Sequence, residues 1–176
     1  MSPASQHPDE EYDGKQKPQP FTGSRVIKSA TLHIDFPPAQ VFPLLCPQRE
    51  CDWLDGWDFT WIHSASGYAE QDCVFTTSLP QDGPTIGIFT SYLPDRHLEY
   101  VKVTPGFLLL RWSMDLVEPV TGSTSLDMTW TVTGMSRDGN RFVEESLDSR
   151  FNALMTRLEK SMNHYLKTGE KLVTAA

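Results

Sequence analysis

The apolar residues of this chain alternate with polar ones through its middle and then recur at a helical spacing near the C-terminus. Two neighbouring segments carry an apolar residue at every second position: Leu110, Trp112, Met114 and Leu116, then Leu126, Met128, Trp130 and Val132. A period of two indicates a strand with one buried face and one solvated face. Other strand-length segments come before them, separated by turns such as Pro94-Asp95 and Pro105-Gly106. Together these segments predict an antiparallel meander.

The pattern changes at Asp148, where apolar residues begin to recur at intervals of three and four. They are Phe151, Leu154, Met155, Leu158, Met162, Tyr165 and Leu166. This spacing predicts an amphipathic helix that Gly169 ends as a left-handed cap. Either Asn140 or Ser146 could begin it, which gives a length between about 20 and about 30 residues.

The front of the chain predicts a strand followed by short helices. TLHIDF alternates like a strand, Pro37-Pro38 ends it, and PPAQVFPLL can begin a short helix. Residues 1–24 hold four prolines and few residues to bury, so they predict a flexible tail. The remainder, 25–176, has the length of a single domain.

This order of elements carries a resemblance to a known superfamily. From about Val26 to Leu172 the chain resembles the START-like superfamily, also called SRPBCC, which includes birch-pollen-allergen-type proteins and polyketide cyclases. The matching segments are TLHIDFPPAQVFPLL, RECDWLDGW and FNALMTRLEKSMNHYLKTGEKL, which are similar to a bacterial branch labelled SRPBCC or polyketide-cyclase-like. The resemblance implies an α+β helix-grip fold: a curved antiparallel sheet of about seven strands wrapped round a long C-terminal helix, with short helices after strand 1. It also implies an apolar pocket. Members range from lipid carriers to cyclases and co-chaperones, so the fold does not decide the activity.

Large side chains on the apolar faces are the candidate pocket walls. The predicted cavity-lining residues are Trp53, Trp57, Phe89, Tyr92, Tyr100, Trp112, Met114, Met128, Trp130, Leu154, Leu158 and Met162. Trp112 and Trp130 would offer flat walls to an aromatic ligand, or would simply fill the space between sheet and helix. Trp53 and Trp57 are one helical turn apart, and they would form an aromatic lid or cover an apolar edge of the sheet.

Composition and spacing argue against several classes of function. The net charge is −8 and no basic cluster is present, so we expect no nucleic acid partner and no membrane insertion. Cys46, Cys51 and Cys73 are not arranged as a zinc motif, and no phosphate-binding loop occurs, so we expect no metal and no cofactor. Three thiols without a disulfide pattern favour a reduced, cytoplasmic protein.

Three functions remain open. The first is binding of a small hydrophobic or aromatic ligand between the sheet and the C-terminal helix, without catalysis. The second, motivated by the resemblance, is an aromatase/cyclase-like enzyme, whose polar group would be Arg111, Tyr92, Tyr100 or His97. The third is a co-chaperone-like module that binds another protein. The sequence leaves undecided whether the protein is an enzyme and whether it is a monomer or a homodimer.

Overall fold

The computed structural model describes residues 20–79 and 83–173. The strands in these residues are β1 Arg25–Ile34, β2 Thr60–His63, β3 Val74–Leu79, β4 Gly83–Leu93, β5 His97–Thr104, β6 Leu108–Val117 and β7 Thr124–Gly134. The α-helices are α1 Pro38–Val41, α2 Pro47–Trp53, α3 Arg137–Glu145 and α4 Leu147–Thr168, and a 3-10 turn, Phe42–Leu45, joins α1 to α2. The predicted flexible tail, 1–24, lies largely outside the described residues and stays a prediction.

The strands form one antiparallel sheet in the order β1-β7-β6-β5-β4-β3-β2. The chain runs from β2 to β7 as a meander, and β1 joins it beside β7 through ten paired residues. The long helix α4 follows, and it packs on the concave side of the sheet. The α+β helix-grip fold is therefore confirmed, including the seven strands and the short helices after β1.

Strand register places four aromatic residues side by side on the concave face. Directly paired residues share a face of the sheet, and the pairs Phe89–Tyr100, Tyr100–Trp112 and Trp112–Trp130 follow one another from β4 to β7. We call Phe89, Tyr100, Trp112 and Trp130 the aromatic belt. The next row on one side contains Gly87, Lys102, Leu110 and Val132, and the row on the other contains Leu98, Met114 and Met128.

A bulge in β4 turns two aromatic residues of that strand inward. Phe89 pairs with Tyr100 and Tyr92 pairs with Leu98, while the register shifts between Phe89 and Ser91. Residues three apart on a regular strand face opposite sides, but the extra residue restores the inward direction. Phe89 and Tyr92 therefore both face the concave side of the sheet, where their rings are 6.4 Å apart between centroids.

Two helices follow the sheet, whereas the sequence predicted one helix that begins at either Asn140 or Ser146. Ser136 begins α3, with its Oγ accepting a hydrogen bond from the Gly139 amide over 3.1 Å. Ser146 begins α4, which has 22 residues, and Asn140 lies within α3. Gly169 ends α4 with a φ of 74°, so the predicted left-handed cap is confirmed. None of the described helices combines the length and the apolar composition needed to cross a membrane.

Candidate functional site

The aromatic belt forms a continuous path of ring contacts from the sheet to α4. The ring centroids of Phe89 and Tyr100 are 5.3 Å apart, those of Tyr100 and Trp112 5.6 Å, and those of Trp112 and Trp130 5.2 Å. Phe151 of α4 continues the path, 5.2 Å from Trp130. Tilted and edge-to-face rings at these distances attract each other beyond simple burial.

Neither of the two indole N–H groups of the belt has a strong hydrogen-bond acceptor. Trp112 Nε1 donates to the thioether sulfur of Met128 over 3.2 Å, and a thioether is a weak acceptor. Trp130 is 6% exposed, and its Nε1 has no hydrogen-bond partner among the residues that the structure describes. A buried donor without an acceptor costs about 1–3 kcal/mol. The belt thus holds one unused donor in its interior.

Two charged residues are buried in the interior that also holds Tyr100 of the belt. Glu50 of α2 and Lys102 of β5 are each 8% exposed, and Tyr100 is 3% exposed. Burial raises the pKa of Glu50 to about 8, although the positive charge of Lys102 acts against that shift. Burial also raises the pKa of Tyr100 well above its usual value, and an ionised Glu50 adds to the effect. Three groups that can exchange protons therefore share one apolar interior.

The local sequence explains why Glu50 and Lys102 point inward. Glu50 precedes Trp53 by three residues, so the two side chains share the buried face of α2. Lys102 follows Leu98 and Tyr100 at the strand period, so it lies on the buried face of β5. The sequence prediction did not include either residue. The spacing could have identified both residues. Lys102 follows Leu98 and Tyr100 at the period of a strand, and Glu50 precedes Trp53 by about one helical turn.

The two tryptophans at the end of α2 have different environments. Trp53 is fully buried, and its Nε1 donates to the carbonyl oxygen of Leu44 over 2.9 Å. Trp57 is half-buried, and its Nε1 donates to the carbonyl oxygen of Pro47 over 2.8 Å. Its ring lies over Lys102, with Nζ 5.6 Å from the ring centroid. Trp53 thus belongs to the core, and Trp57 covers Lys102.

The loop that carries Trp57 is held against the long helix. Residues 54–59 contain no helix or strand, and Arg157 of α4 donates a hydrogen bond to the carbonyl oxygen of Asp55. Since the Trp57 ring of this loop covers Lys102, the loop would have to move to expose that residue.

The other predicted pocket residues lie on the concave side. Met114, Met128, Leu158 and Met162 are buried, and Leu154 and Tyr92 are half-buried. Their packing is established, but whether a ligand touches them stays a prediction.

Of the four polar candidates for catalysis, two face away from the concave side. Arg111 is exposed on the convex face, where its Nε donates to Glu99 over 2.7 Å. His97 Nδ1 lies 2.8 Å from a carboxylate oxygen of Asp115 on the same face. Neither can reach a ligand between the sheet and α4. Tyr92 and Tyr100 are the two candidates that remain inside.

Two of the three cysteines belong to the core, and Cys51 is half-buried. Cys46 and Cys73 are buried, and burial raises the pKa of the Cys73 thiol, which lowers its reactivity. Within residues 20–79 and 83–173, no three His, Cys, Asp or Glu side chains come together as a metal-binding group.

An open depression lies outside the concave face, where α1 approaches the turn between β4 and β5. Its wall includes Pro37, Pro38, Pro94, Arg96 and Leu116. None of the predicted cavity-lining residues takes part in it. It is therefore separate from the aromatic belt.

No protein-family model matches the chain, and no curated protein matches it in sequence. Solved structures do match its fold. The Zhui aromatase/cyclase from a Streptomyces species superposes with a TM-score of 0.64 at 10% identity, covering 85% of this chain and 100% of that one. A conserved protein from Geobacillus kaustophilus gives 0.63 at 14% identity, covering 82% and 97%.

A third match is the norcoclaurine synthase from Thalictrum flavum, solved in complex with dopamine and hydroxybenzaldehyde. It superposes with a TM-score of 0.62 at 8% identity, covering 83% of this chain and 88% of that one. These matches show that the chain shares its fold with these proteins, which is the fold that the sequence resemblance implied. At such identities the likeness concerns the fold, and the residues of the site have to be argued from this chain.

Proposed function

We propose that the protein binds a small hydrophobic or aromatic molecule against the aromatic belt, between the sheet and α4. The observation that carries this proposal is the Trp130 indole N–H, which is buried without an acceptor. Native proteins satisfy nearly all of their buried donors, and an exception calls for an explanation. A ligand with an oxygen acceptor would supply the missing hydrogen bond, while its apolar body would lie against the neighbouring rings.

The walls around the belt are suited to admit such a ligand. In this structure the aromatic rings are packed against one another, so a ligand has to displace side chains as it enters. Met114, Met128, Met155 and Met162 are buried around the belt. Methionine side chains change rotamer at low cost and adapt to irregular shapes. We therefore expect a site that accepts a range of flat apolar molecules.

The experiment compares two probes of similar shape, 2-acetylnaphthalene and 2-ethylnaphthalene, of which only the first offers an acceptor oxygen. Titrations followed by tryptophan fluorescence should show saturable binding of both, with the ketone bound about fivefold more tightly, because a neutral hydrogen bond contributes about 1 kcal/mol. Trp130→Phe should remove that preference. Trp61→Phe is the matched control, since Trp61 lies outside the belt and donates to the Gly67 carbonyl.

Two results would contradict the proposal. Absence of saturable binding of either probe would show that the concave face is a closed core. An unchanged preference for the ketone in Trp130→Phe would show that this N–H does not contact the ligand. If the probes bind as expected, mass spectrometry of organic extracts of the purified protein, against a purification blank, would identify the natural ligand class.

A second candidate function, a polyketide cyclase or aromatase-like enzyme, is favoured by the buried Glu50, Tyr100 and Lys102. Ionisable groups in an apolar interior are typical of sites that transfer protons. A co-chaperone-like function, a cytoplasmic location, the absence of a cofactor and the oligomeric state stay predictions.

A further inference from the structure

We propose that Lys102 forms an imine with an aromatic aldehyde or ketone held against the aromatic belt, and that Glu50 is its acid–base partner. This inference rests on the proposed function, because the carbonyl compound has to bind to the belt first. It goes beyond that function by naming the ligand class and the covalent step.

The position of Lys102 makes it a suitable nucleophile. It is directly paired with Gly87 on β4 and with Leu110 on β6, so its neighbours across the sheet are a residue without a side chain and an aliphatic one. Tyr100 precedes it by two residues on the same face of β5, and its Nζ lies 5.6 Å from the centroid of the Trp57 ring. Removal from water favours the neutral amine over the ammonium ion, which is why lysines that form imines are buried.

Glu50 supplies the proton transfers that the step needs. Burial raises the pKa of Glu50 to about 8, so near neutral pH it holds a proton that it can donate. The Lys102 amine in its neutral form is the nucleophile, and the Glu50 carboxylic acid is the general acid.

The reaction balances without an added cofactor. The Nζ lone pair attacks the carbonyl carbon, the C=O π bond breaks, and the oxygen takes up the proton that the nitrogen releases, giving a carbinolamine. The Glu50 carboxylic acid then protonates the hydroxyl group, which leaves as water while the nitrogen lone pair forms the C=N bond. The resulting iminium cation lies beside the Glu50 carboxylate, and hydrolysis runs through the same steps in reverse.

The belt is correctly placed to present the carbonyl group. Lys102 follows Tyr100 by two residues on β5, so their Cα atoms are about 7 Å apart along the strand. An aromatic ring stacked on Tyr100 and Trp112 would direct a carbonyl substituent toward the row that contains Lys102. The Trp57 loop lies above this position and would have to open for the ligand to enter.

The test traps the imine in the wild-type protein. The probe is 2-naphthaldehyde with sodium cyanoborohydride, which reduces an imine to a stable secondary amine. Peptide mapping by mass spectrometry should find the label at Lys102, formed at least about tenfold faster than on the exposed Lys160 and Lys167. Lys102→Arg keeps a cation beside the Trp57 ring but cannot form an imine, so that label should disappear. Glu50→Gln should slow labelling by about tenfold or more, because it removes the general acid.

A parallel titration with 2-naphthalenemethanol, which has no carbonyl group, separates binding from the covalent step. Saturable binding of the alcohol, with labelling confined to exposed lysines, would overturn the imine and leave the proposed function standing. Absence of both binding and Lys102 labelling would overturn both. Labelling of Lys102 at the same rate in Glu50→Gln would overturn the role assigned to Glu50.

Discussion

Asn163 of α4 hydrogen-bonds the backbone at the end of β1: its Nδ2 donates to the carbonyl oxygen of His33 over 2.9 Å, and its Oδ1 accepts from the amide of Asp35, just after the strand, over 2.9 Å. Glu159, one turn earlier, accepts from the His33 amide over 2.8 Å. Since these His33 groups point away from β7, helix side chains occupy positions that a further strand could otherwise take. The contact also fixes α4 over the concave face.

Asn163→Ala should lower the free energy of unfolding by about 1–2 kcal/mol, because two backbone groups lose their partners. Asn152→Ala is the matched control, since Asn152 is exposed on the same helix, and it should change stability by less than about 0.5 kcal/mol. Urea unfolding followed by circular dichroism measures both. Equal effects of the two substitutions would show that α4 is fixed by its apolar face alone.

Glu50 should make the protein less stable as the pH rises through the neutral range. Its pKa is about 8 in the folded chain against an ordinary value of 4.5, so the unfolded chain releases the proton first. Folded protein then binds more protons than unfolded protein between about pH 4.5 and pH 8, and the free energy of unfolding falls across that window. The limiting slope is about 1.4 kcal/mol per pH unit.

Glu50→Gln should flatten this dependence, because an amide does not titrate. Urea unfolding at pH 5 and pH 8 gives the comparison, with Glu145→Gln, an exposed position in α3, as the control. Parallel pH profiles of wild type and Glu50→Gln would mean that Glu50 ionises as readily in the folded state as in the unfolded chain.

Gly87→Ala should destabilise the sheet by about 1–3 kcal/mol, because the added Cβ would overlap the Phe75 ring. Phe75 fills the space beside Gly87 and contacts Tyr100, with ring centroids 5.7 Å apart. A double-mutant cycle with Phe75→Leu tests this cause. The two substitutions should couple favourably, since the smaller side chain vacates the space that the methyl group needs. Simple additivity would assign the cost of Gly87→Ala to the backbone instead.

Arg111→Ala should leave ligand binding unchanged, because Arg111 lies on the convex face. Burial acts against ionisation of Glu99, but hydrogen bonds from Arg111 and Thr90 outweigh it and hold the pKa of Glu99 below its usual value. Since the Arg111 side chain of this pair is exposed to solvent, its loss should cost about 1 kcal/mol of stability or less. The naphthalene probes of the binding experiment provide the readout. A loss of affinity beyond about threefold would place Arg111 at the site.

More of the fold than of the site could be predicted from the sequence, because the hydrophobic period of a segment depends only on the residues of that segment. Alternation around Trp112 and Trp130 was sufficient to assign β6 and β7 and their buried faces. The bulge in β4 breaks that period, and its effect on Tyr92 depends on pairing with β5, which no single segment reveals.

The buried charges were missed for a related reason. Lys102 and Glu50 occupy positions at which the hydrophobic period of β5 and α2 predicts a buried apolar residue. Because both residues are charged, the period alone does not identify them as buried. The effect of the Lys102 charge on Glu50 joins two segments about fifty residues apart, so neither segment reveals it alone. Arg111 and His97 are polar residues whose chemistry made them candidates for catalysis, yet both lie on the convex face. For Arg111, the alternation along β6 already predicted the solvated face.

The contact between Trp112 and Trp130 also gives the protein an optical signature. The centroids of the two indole rings lie 5.2 Å apart, and the ring planes are inclined at 80° to each other. At that separation their electronic transitions couple, so the pair absorbs light as a single chiral chromophore. The circular dichroism of the aromatic bands therefore reports the arrangement of the belt, and it changes whenever a molecule comes between the rings.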